Sequence, residues 1–202
     1  MTQIEKAKEL IGTFATGDAK KAASLLAEGY IQHNLAYATG REAFVGSVNY
    51  LASAPVPTTV NNIRAYEDGD KVFLQTVYNF AGAGEQVAFD IFRFDSEGKI
   101  EEHWDNLADK AEPNPSGHTQ IDNVASVKDL DKTEENRQLV KNFLYDVMQG
   151  NYVLAVSEGT FGEVPTSYYD LWRVENGKIA EHWDVMETIA DKESWQNTNG
   201  KF

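Results

Sequence analysis

Three residues near the middle of the chain, Asp90, His103 and Asp105, have side chains that could move protons. A carboxyl group that is removed from water ionises at a higher pH than usual, and a neighbouring histidine can orient it or share its proton. Such a pair can take a proton from the carbon next to a carbonyl group, the step that begins an enolisation, an aldol condensation or an isomerisation. We therefore take these residues as candidates for general acid/base catalysis.

The spacing of the three residues fits a β-hairpin that brings them together. Side chains alternate between the two faces of a strand, so the register of the hairpin decides which residues meet. If Phe94 and Lys99 flank the turn, His103 lies directly opposite Asp90, and Asp105 follows on the same face. An ordinary polar ladder across a sheet would look the same, so the sequence leaves a catalytic and a structural role open for Asp90 and His103.

The hairpin occurs twice in the chain, which identifies an internal repeat. Residues 152–184 match residues 72–105 at an offset of 80, which becomes 79 after the hairpin turn. The second-copy residues that correspond to the candidates and to their aromatic neighbour are Asp170, Trp172, His182 and Asp184. The same register predicts that Asp170 faces His182, so each copy should gather two aspartates and a histidine.

An apolar pattern with helical spacing precedes each copy of the hairpin. It covers residues 4–17 in the first copy and residues 134–150 in the second, an offset of 133. Because the offset falls to 80 at the strands, the second copy lacks 53 residues, which correspond roughly to residues 18–70. We expect the second copy to be unable to enclose a cavity alone. It should pair the edge of its sheet with the first half or with another chain, unless it is a scaffold altered by deletion.

The order of elements in the first copy is typical of an α+β unit. Three helices are predicted at residues 4–17, 19–27 and 40–53, with a short extended piece at 30–34. Four strands follow as an antiparallel meander at residues 58–67, 71–80, 85–95 and 99–107, and the helices should cover one face of a curved sheet. The chain is thus predicted to comprise a complete unit at 1–108, a linker at 109–133 and a partial second repeat, a helix plus strands, at 134–202.

A polar run, Tyr30-Ile31-Gln32-His33-Asn34, follows the second predicted helix. At the mouth of the sheet, Gln32 or His33 could hydrogen-bond the carbonyl oxygen of a ligand. Asn34 could equally form a turn or cap a helix end. The sequence leaves both interpretations open.

The composition excludes several classes of protein. A net charge of −14 opposes binding to nucleic acid or to an anionic membrane, and no apolar run approaches the ~20 residues that span a bilayer. The lack of cysteine excludes disulfides, thiolate zinc sites and thiol nucleophiles. No second histidine has the spacing of a metal site and no glycine-rich phosphate loop occurs, so we expect no metal and no cofactor. A charged first segment without a leader pattern predicts a cytoplasmic protein.

Three motifs carry a resemblance to a known family. The runs YIQHN at 30–34, GREAF at 40–44 and DIFRF…GKIEEHWD between 90 and 105 resemble the SnoaL-like polyketide cyclase group of the nuclear transport factor 2-like superfamily. The resemblance implies a cone-shaped, strongly bent antiparallel sheet with helices packed on its concave face and a pocket at the wide end. Members include cofactor-free aldol cyclases, ketosteroid isomerases, dehydratases and plain binding modules, and homodimers are common among them.

The resemblance also implies roles for individual residues. The acid/base carboxyl of such cyclases falls on Asp90, with Asp105 as its competitor, and the histidine contributions fall on His33 and His103. The residues that would bind the ligand are Tyr30, Gln32, Asn34, Phe92 and Trp104. A proline often follows the Gln-His-Asn element in the family, whereas this chain has Leu35.

Two classes of function follow from these observations. The first is a small-molecule pocket with acid/base chemistry on an apolar or carbonyl-bearing ligand. The second is a non-catalytic ligand-binding or dimerisation module of the same fold. In both cases we expect a homodimer, with exchange of a strand or segment as one way to complete the shortened repeat.

Overall fold

The computed structural model describes residues 1–123, 126–140 and 146–202, with the side chains at 139–140 and 146–148 outside the description. Within these segments the chain forms two sheets, one of five strands and one of four. The described segments contain no helix that is both long enough and apolar enough to cross a membrane.

Three helices open the first half, as the sequence predicts. Their bounds are Gln3–Thr16 (α1), Ala19–Leu25 (α2) and Arg41–Ala52 (α3). A capping box fixes the start of α1, because the Thr2 hydroxyl accepts from the Glu5 amide while the Glu5 carboxylate accepts from the Thr2 amide. The Asp18 carboxylate caps α2 by accepting from the Lys21 amide.

The first sheet contains one more strand than the predicted meander. The strands are Leu26–Gln32 (β1), Thr59–Asp68 (β2), Lys71–Asn79 (β3), Gln86–Phe94 (β4) and Ile100–Asp109 (β5). Their order in the sheet is β1-β5-β4-β3-β2. Strands β2 to β5 are antiparallel as predicted, but β1 lies parallel to β5 at the edge, so an entirely antiparallel sheet was the wrong expectation. A parallel neighbour requires a crossover, which α3 and β2 to β4 supply here.

The second half begins with a helix that is shorter than predicted. Helix α4 spans Thr133–Val140, and the predicted continuation at residues 141–145 lies outside the described residues. The last part of the predicted helix is instead strand β6, Asp146–Gln149, which pairs antiparallel with β7. The cause is local, since Gly150 takes a φ of 59° in the turn of a hairpin, where the sequence pattern had suggested the end of a helix.

Four antiparallel strands form the second sheet, in the order β6-β7-β8-β9. After β6 come Tyr152–Phe161 (β7), Val164–Glu175 (β8) and Lys178–Thr188 (β9). A 3-10 turn at Lys192–Ser194 follows. The division into units at 1–108, 109–133 and 134–202 stays a prediction.

The two faces of the first sheet are buried in different ways. Residues such as Val72, Leu74 and Phe92 on one face pack against the helices, through Leu10 and Val48 among others. The alternation of side chains along each strand produces this separation, because β4 directs its even-numbered residues to the helices and its odd-numbered residues to the opposite face.

The opposite face of the first sheet is covered by the second sheet of the same chain. The aromatic and aliphatic residues at this contact include Phe73, Phe89 and Ile91 from the first sheet and Tyr152, Tyr169, Leu171 and Trp183 from the second. The two sheets pack face to face and remain separate sheets, so the expectation that the second copy pairs its strand edge with the first half was wrong. Homodimerisation, with or without exchange of a segment, stays a prediction.

One buried polar residue links the two sheets. The amide nitrogen of Asn106 donates to the carbonyl oxygens of Ser167 (3.0 Å) and Val185 (3.1 Å), and its amide oxygen accepts from the Ser167 hydroxyl (2.6 Å). These bonds satisfy a side chain that is fully buried on the apolar contact face. They also specify the lateral position of one sheet on the other, since a shifted sheet would leave the Asn106 amide unpaired.

Candidate functional site

The register of the β4–β5 hairpin differs from the predicted one by two residues. Asp90 lies opposite Asp105, and Phe92 lies opposite His103, so the expectation that Asp90 faces His103 was wrong. One residue of the difference arises at the turn, where Phe94 pairs with Ile100 and not with Lys99, and the second arises at a register shift between Arg93 and Phe94. A shift of two residues preserves the face of every side chain. Asp90 and His103 are therefore diagonal neighbours on the helix-covered face instead of direct partners.

The second copy has the same displaced register. Asp170 lies opposite Asp184, and Trp172 lies opposite His182, again with a shift directly after the arginine of the hairpin. The prediction that Asp170 faces His182 directly was wrong by the same two residues. The identical irregularity in both hairpins agrees with the predicted duplication.

A buried carboxylate–histidine pair lies at the centre of the first hairpin. The side chains of Asp90 and His103 are 2% and 4% exposed, and His103 Nε2 lies 3.2 Å from Asp90 Oδ1. The Tyr78 hydroxyl donates to Asp90 Oδ2 over 3.1 Å, so both carboxylate oxygens have a hydrogen-bond partner. The Phe92 ring stacks on the His103 imidazole, with 4.3 Å between the ring centroids, and so packs against the pair.

The surrounding hydrogen bonds determine which nitrogen of His103 carries the proton. The Asn34 amide N–H donates to Gln32 Oε1 (2.8 Å), which leaves the Gln32 amide nitrogen facing His103 Nδ1 (3.0 Å). An amide nitrogen can only donate, so Nδ1 is the acceptor and the proton lies on Nε2. His103 therefore donates to Asp90 through Nε2.

Asp105 is the second buried carboxyl, and its environment differs from that of Asp90. It is 6% exposed, and its Oδ1 has no hydrogen-bond partner among the described residues. Burial raises the pKa of the Asp105 carboxyl, and the Asp90 charge raises it further. His103, Lys201 and a hydrogen bond from Asn34 lower the pKa of Asp105 without reversing this direction.

The raised pKa of Asp105 predicts a stability cost at neutral pH. A carboxyl whose pKa is higher in the folded than in the unfolded state favours folding when protonated, and this contribution is lost as the pH rises through the folded-state pKa. We expect Asp105→Asn to raise the midpoint of urea unfolding at pH 7 and to leave it almost unchanged at about pH 3, where the carboxyl is largely protonated in both states. Asp184→Asn, at the half-exposed equivalent in the second copy, is the control. If Asp105→Asn lowered the midpoint of urea unfolding at pH 7 while Asp184→Asn did not, the predicted direction of the effect would be wrong.

Asp90, His103 and Asp105 lie at a cavity of about 350 Å³ between the helices and the first sheet. Phenylalanines and tyrosines make up seven of the sixteen lining residues, among them Phe14, Tyr37, Phe44, Tyr50 and Phe80. These five rings come from α1, from α3, from the loop before α3 and from the residue after β3, and Phe14 contacts Phe44 at 4.9 Å between ring centroids. Among the described residues, no Lys or Arg side chain lines the cavity. Such a wall suits a neutral, largely apolar ligand.

Two tyrosines at the cavity retain their protons at any ordinary pH. Burial raises the pKa of Tyr30 and of Tyr78, and the nearby carboxylates of Asp90 and Asp105 raise both further. The Tyr78 hydroxyl donates its hydrogen bond to Asp90. The Tyr30 hydroxyl accepts from Gln32 Nε2 (3.3 Å) and lies 3.3 Å from His103 Nδ1, a nitrogen that Gln32 already occupies at the shorter distance of 3.0 Å. The Tyr30 proton can therefore be directed at a ligand.

The predicted site residues divide into two groups in the structure. Tyr30, Gln32, Asp90, His103 and Asp105 line the cavity, with Phe92 and Asn34 directly behind them. Tyr78, Phe14 and Phe44 were missed as site residues by the sequence analysis. Only the apolar spacing of the helices pointed to the two phenylalanines, as core residues.

His33 and Trp104 are not brought to the cavity. The His33 ring stacks on Trp104 at 4.6 Å, and its Nε2 donates to Glu102 Oε1 over 2.7 Å. Its Nδ1 lies 2.9 Å from the carbonyl oxygen of Gly200. Asn34 forms a turn, as one of the two interpretations proposed, because its Oδ1 accepts from the Ala36 amide.

The equivalent cluster in the second copy is open to solvent. His182 Nε2 lies 2.7 Å from Asp170 Oδ1 and the ring stacks on Trp172 at 3.7 Å, which reproduces the pairing of the first copy. His182 is nevertheless exposed and Asp170 is only half-buried, because the second copy lacks the helices that cover this face in the first.

The cluster of Asp90, His103 and Asp105 has the spacing of a metal site, since one ligand atom from each lies within 4.8 Å of the others. The hydrogen-bond network opposes such a use. The Gln32 amide holds the His103 proton on Nε2, the nitrogen that faces Asp90, and a metal would have to displace it. The arrangement suits proton transfer better than coordination.

The first half of the chain matches a known protein family. Residues 7–103 match the model of the SnoaL-like domain. These residues include β1, α3 and the Asp90–His103 pair, and the match ends just before Asp105. No curated protein sequence matches the chain.

Several solved structures are similar to about half of the chain. An NTF2-like protein of unknown function from Cytophaga hutchinsonii is 16% identical, with 54% of this chain and 91% of that chain covered and a TM-score of 0.47. IdmH from Streptomyces antibioticus, a proposed polyketide cyclase, is 21% identical over 53% and 92%, with a TM-score of 0.45. An LEH-like epoxide hydrolase from M. tuberculosis is 14% identical over 52% and 82%, with a TM-score of 0.47.

Proposed function

Residues 7–103 form a SnoaL-like domain of the nuclear transport factor 2-like superfamily, and on this premise we propose that the chain binds a neutral, carbonyl-bearing ligand and moves a proton next to its carbonyl group. The observation that carries the proposal is the unpartnered Oδ1 of Asp105, buried at an aromatic cavity beside the Asp90–His103 pair. Burying a polar atom without a hydrogen-bond partner costs free energy, and a ligand that donates a hydrogen bond to Oδ1 would remove this cost.

We assign the acid/base role to Asp105 in preference to Asp90. Both oxygens of Asp90 are engaged, by His103 and by Tyr78, whereas Oδ1 of Asp105, a residue that lines the cavity, has no hydrogen-bond partner among the described residues. The raised pKa of Asp105 brings the carboxyl towards the pH range where a base is both ionised and strong enough to take a proton. Asp90 and His103 then act as positioning residues that fix the neighbouring groups.

The proposed step begins when the Asp105 carboxylate takes a proton from the carbon next to the ligand carbonyl. The electron pair of that C–H bond forms the enolate, and the negative charge moves to the carbonyl oxygen. The Tyr30 hydroxyl donates to this oxygen, because Gln32 satisfies the nitrogen that Tyr30 would otherwise face. If a C=C bond of the ligand is conjugated with the enolate, return of the proton from Asp105 to the far carbon of that system gives an isomer. If the enolate carbon instead attacks a second carbonyl of the ligand, the π bond of that carbonyl breaks, and the resulting alkoxide takes the proton from Asp105 to give an aldol product.

A second candidate is a binding module without catalysis, and one observation favours it. Asp90, His103, Tyr78 and Gln32 form a closed set of hydrogen bonds that would be satisfied in a purely structural polar ladder. In that case the cavity would hold a ligand while Asp105 remained without a chemical role.

Two measurements separate the candidates. Prodan, a neutral fluorescent naphthyl ketone, reports occupation of the cavity by its change in emission. β-Tetralone in heavy water reports the proton transfer itself, because exchange of its α-hydrogens for deuterium is followed by NMR. The proposal predicts Prodan binding and exchange faster than in buffer containing the carboxylate alone. Binding with exchange at the buffer rate would favour the module, and neither binding nor exchange would overturn both.

A further inference from the structure

A segment of the second half reaches back to the cavity of the first half. We call residues 196–201 the strap; it follows the 3-10 turn after β9. The strap contacts the loop at residues 33–39, which joins β1 to α3 and contributes Tyr37 and Ala38 to the cavity wall. The cavity of the first repeat therefore has a structural element of the second repeat directly behind its wall.

Two asparagines of the strap hold the loop through its main chain. The Asn197 side-chain amide donates to the carbonyl oxygens of Asn34 (2.8 Å) and Tyr37 (2.9 Å). The Asn199 side-chain amide donates to the carbonyl oxygen of Gln32 (2.8 Å) and to the Thr39 hydroxyl (3.0 Å). Each asparagine thus bridges two points of the loop, which limits the conformations that the loop can adopt.

A backbone bond reinforces these contacts. The Gln196 amide donates to the carbonyl oxygen of Leu35 over 2.8 Å, and the Gly200 carbonyl oxygen lies 2.9 Å from His33 Nδ1. His33, which the resemblance suggested as a ligand group, instead contributes to attachment of the strap. The attachments span both ends of the loop.

Lys201 brings a positive charge close to the site. It is 6% exposed, and its Nζ donates to the main-chain carbonyl oxygen of Asp105 (2.7 Å) and to Glu187 Oε1 on β9 (3.0 Å). Glu187 Oε2 in turn accepts from the amide of Leu107, a residue of the cavity wall (2.9 Å). A lysine this deeply buried is retained only with partners, and both of its partners connect to β5.

We propose that the strap positions the acid/base carboxyl and the aromatic wall of the cavity, with Asn197, Asn199 and Lys201 as the positioning residues. The second repeat, which has lost its own cavity, would thereby complete the cavity of the first. This inference rests on the proposed function only in that it assigns Asp105 as the reacting group; the contacts themselves do not depend on catalysis.

The effect of Lys201 on Asp105 can be measured as a titration. The charged and titratable groups that face the Asp105 carboxyl are His103 on β5, Asp90 on β4, Tyr30 on β1, Tyr78 on β3, Tyr37 in the loop, Glu187 on β9 and Lys201 in the strap. Lys201 is the one lysine among these groups, and it lowers the pKa of Asp105. We expect Lys201→Met to move the pH midpoint of the Asp105 carboxyl carbon signal, followed by NMR, to a higher value.

Two further variants serve as controls for the Asp105 titration. Lys178→Met removes one positive charge from the exposed β8–β9 turn and should leave the Asp105 midpoint unchanged. Lys201→Arg retains a cation and should restore the midpoint at least in part. An Asp105 midpoint in Lys201→Met that equals the one in the Lys178→Met control would overturn the role of Lys201.

The asparagines are tested through the cavity wall. We expect the Asn197→Ala, Asn199→Ala double variant to bind Prodan about tenfold more weakly, because four side-chain hydrogen bonds to the loop are lost. Gln196→Ala is the matched control, since it keeps the main-chain bond to Leu35. Unchanged Prodan affinity in the folded double variant would count against positioning. If the double variant does not fold, Asn199→Ala alone, compared with the same Gln196→Ala control, tests the loss of the two hydrogen bonds that Asn199 donates.

The failure of this inference differs from the failure of the proposed function. Wild-type protein that exchanges no deuterium into β-tetralone, together with a shifted Asp105 midpoint in Lys201→Met, would overturn catalysis and support the strap. Exchange by the wild type, together with variants of the strap that match their controls in both titration and Prodan affinity, would support catalysis and overturn the strap.

Discussion

Asp105→Asn is expected to slow deuterium exchange into β-tetralone by about a hundredfold or more, while the Kd for Prodan changes by less than about threefold. Asparagine has almost the same shape as aspartate but cannot accept the α-proton. The substituted side chain remains at the cavity, so the aromatic wall that binds the probe is preserved. The expected outcome is a loss of rate with retention of binding.

The design includes two comparisons. Asp184→Asn changes the equivalent residue in the second copy, where no helices cover the cluster, and should exchange like the wild type. Asp90→Asn alters a residue whose oxygens are already engaged, so we expect a loss of about tenfold through misplacement of His103. If Asp90→Asn abolished exchange while Asp105→Asn retained it, the two aspartates would have the reverse roles.

Trp183→Ala is expected to lower the free energy of unfolding by about 3–5 kcal/mol, the largest stability effect that we predict. Trp183 is 6% exposed in the contact between the two sheets. Its ring also lies under the Arg64 guanidinium, whose central carbon is 4.3 Å from the ring centroid. The substitution would leave a cavity in the apolar contact and remove one of the partners of the buried Arg64 guanidinium, which also donates to Gln75 and Asp122.

Urea denaturation followed by far-ultraviolet circular dichroism measures this change. Phe161→Ala is the matched control, because Phe161 is an aromatic residue of the same sheet that is 65% exposed, and its loss should cost less than about 0.5 kcal/mol. A change below about 1 kcal/mol for Trp183→Ala would mean that the second sheet contributes little to the stability of the first.

These two expectations concern separate roles of the duplicated hairpin. In the first copy the helix-covered face of the hairpin carries the buried pair of Asp90 and His103. In the second copy the equivalent pair of Asp170 and His182 is partly exposed, while the opposite face supplies Leu171 and Trp183 to the contact between the sheets. The same strand pattern therefore serves as a site in one copy and as a structural cover in the other.

The sequence alone predicted the helices of the first half and the four antiparallel strands with errors of one or two residues at most ends. It also placed Asp90, His103 and Asp105 on one face of the hairpin. The predicted face was correct although the predicted register was wrong. Side chains alternate with a period of two, so a displacement of two residues changes the cross-strand partners but not the face. Local spacing is sufficient for such a prediction.

Pairing between strands and contacts between distant parts of the chain could not be predicted in this way. The sequence assigned residues 134–150 to one helix, but Asp146–Gln149 forms a hairpin with β7. It also suggested His33 as a ligand group, whereas His33 pairs with Glu102 and with the strap. Both outcomes depend on which surfaces are brought together in the folded chain.

The sequence by itself therefore determined which residues could do chemistry, the elements that carry them and the face that they share. The tertiary structure decided which of the two aspartates keeps an oxygen free, because Tyr78 and His103 reach Asp90 only after the strands have paired. It also decided that the shortened repeat covers the first sheet and returns a strap to the cavity. Those contacts join residues more than 60 positions apart, such as Asn106 with Ser167 and Lys201 with Asp105. They follow from the packing of whole apolar faces, which local spacing does not encode.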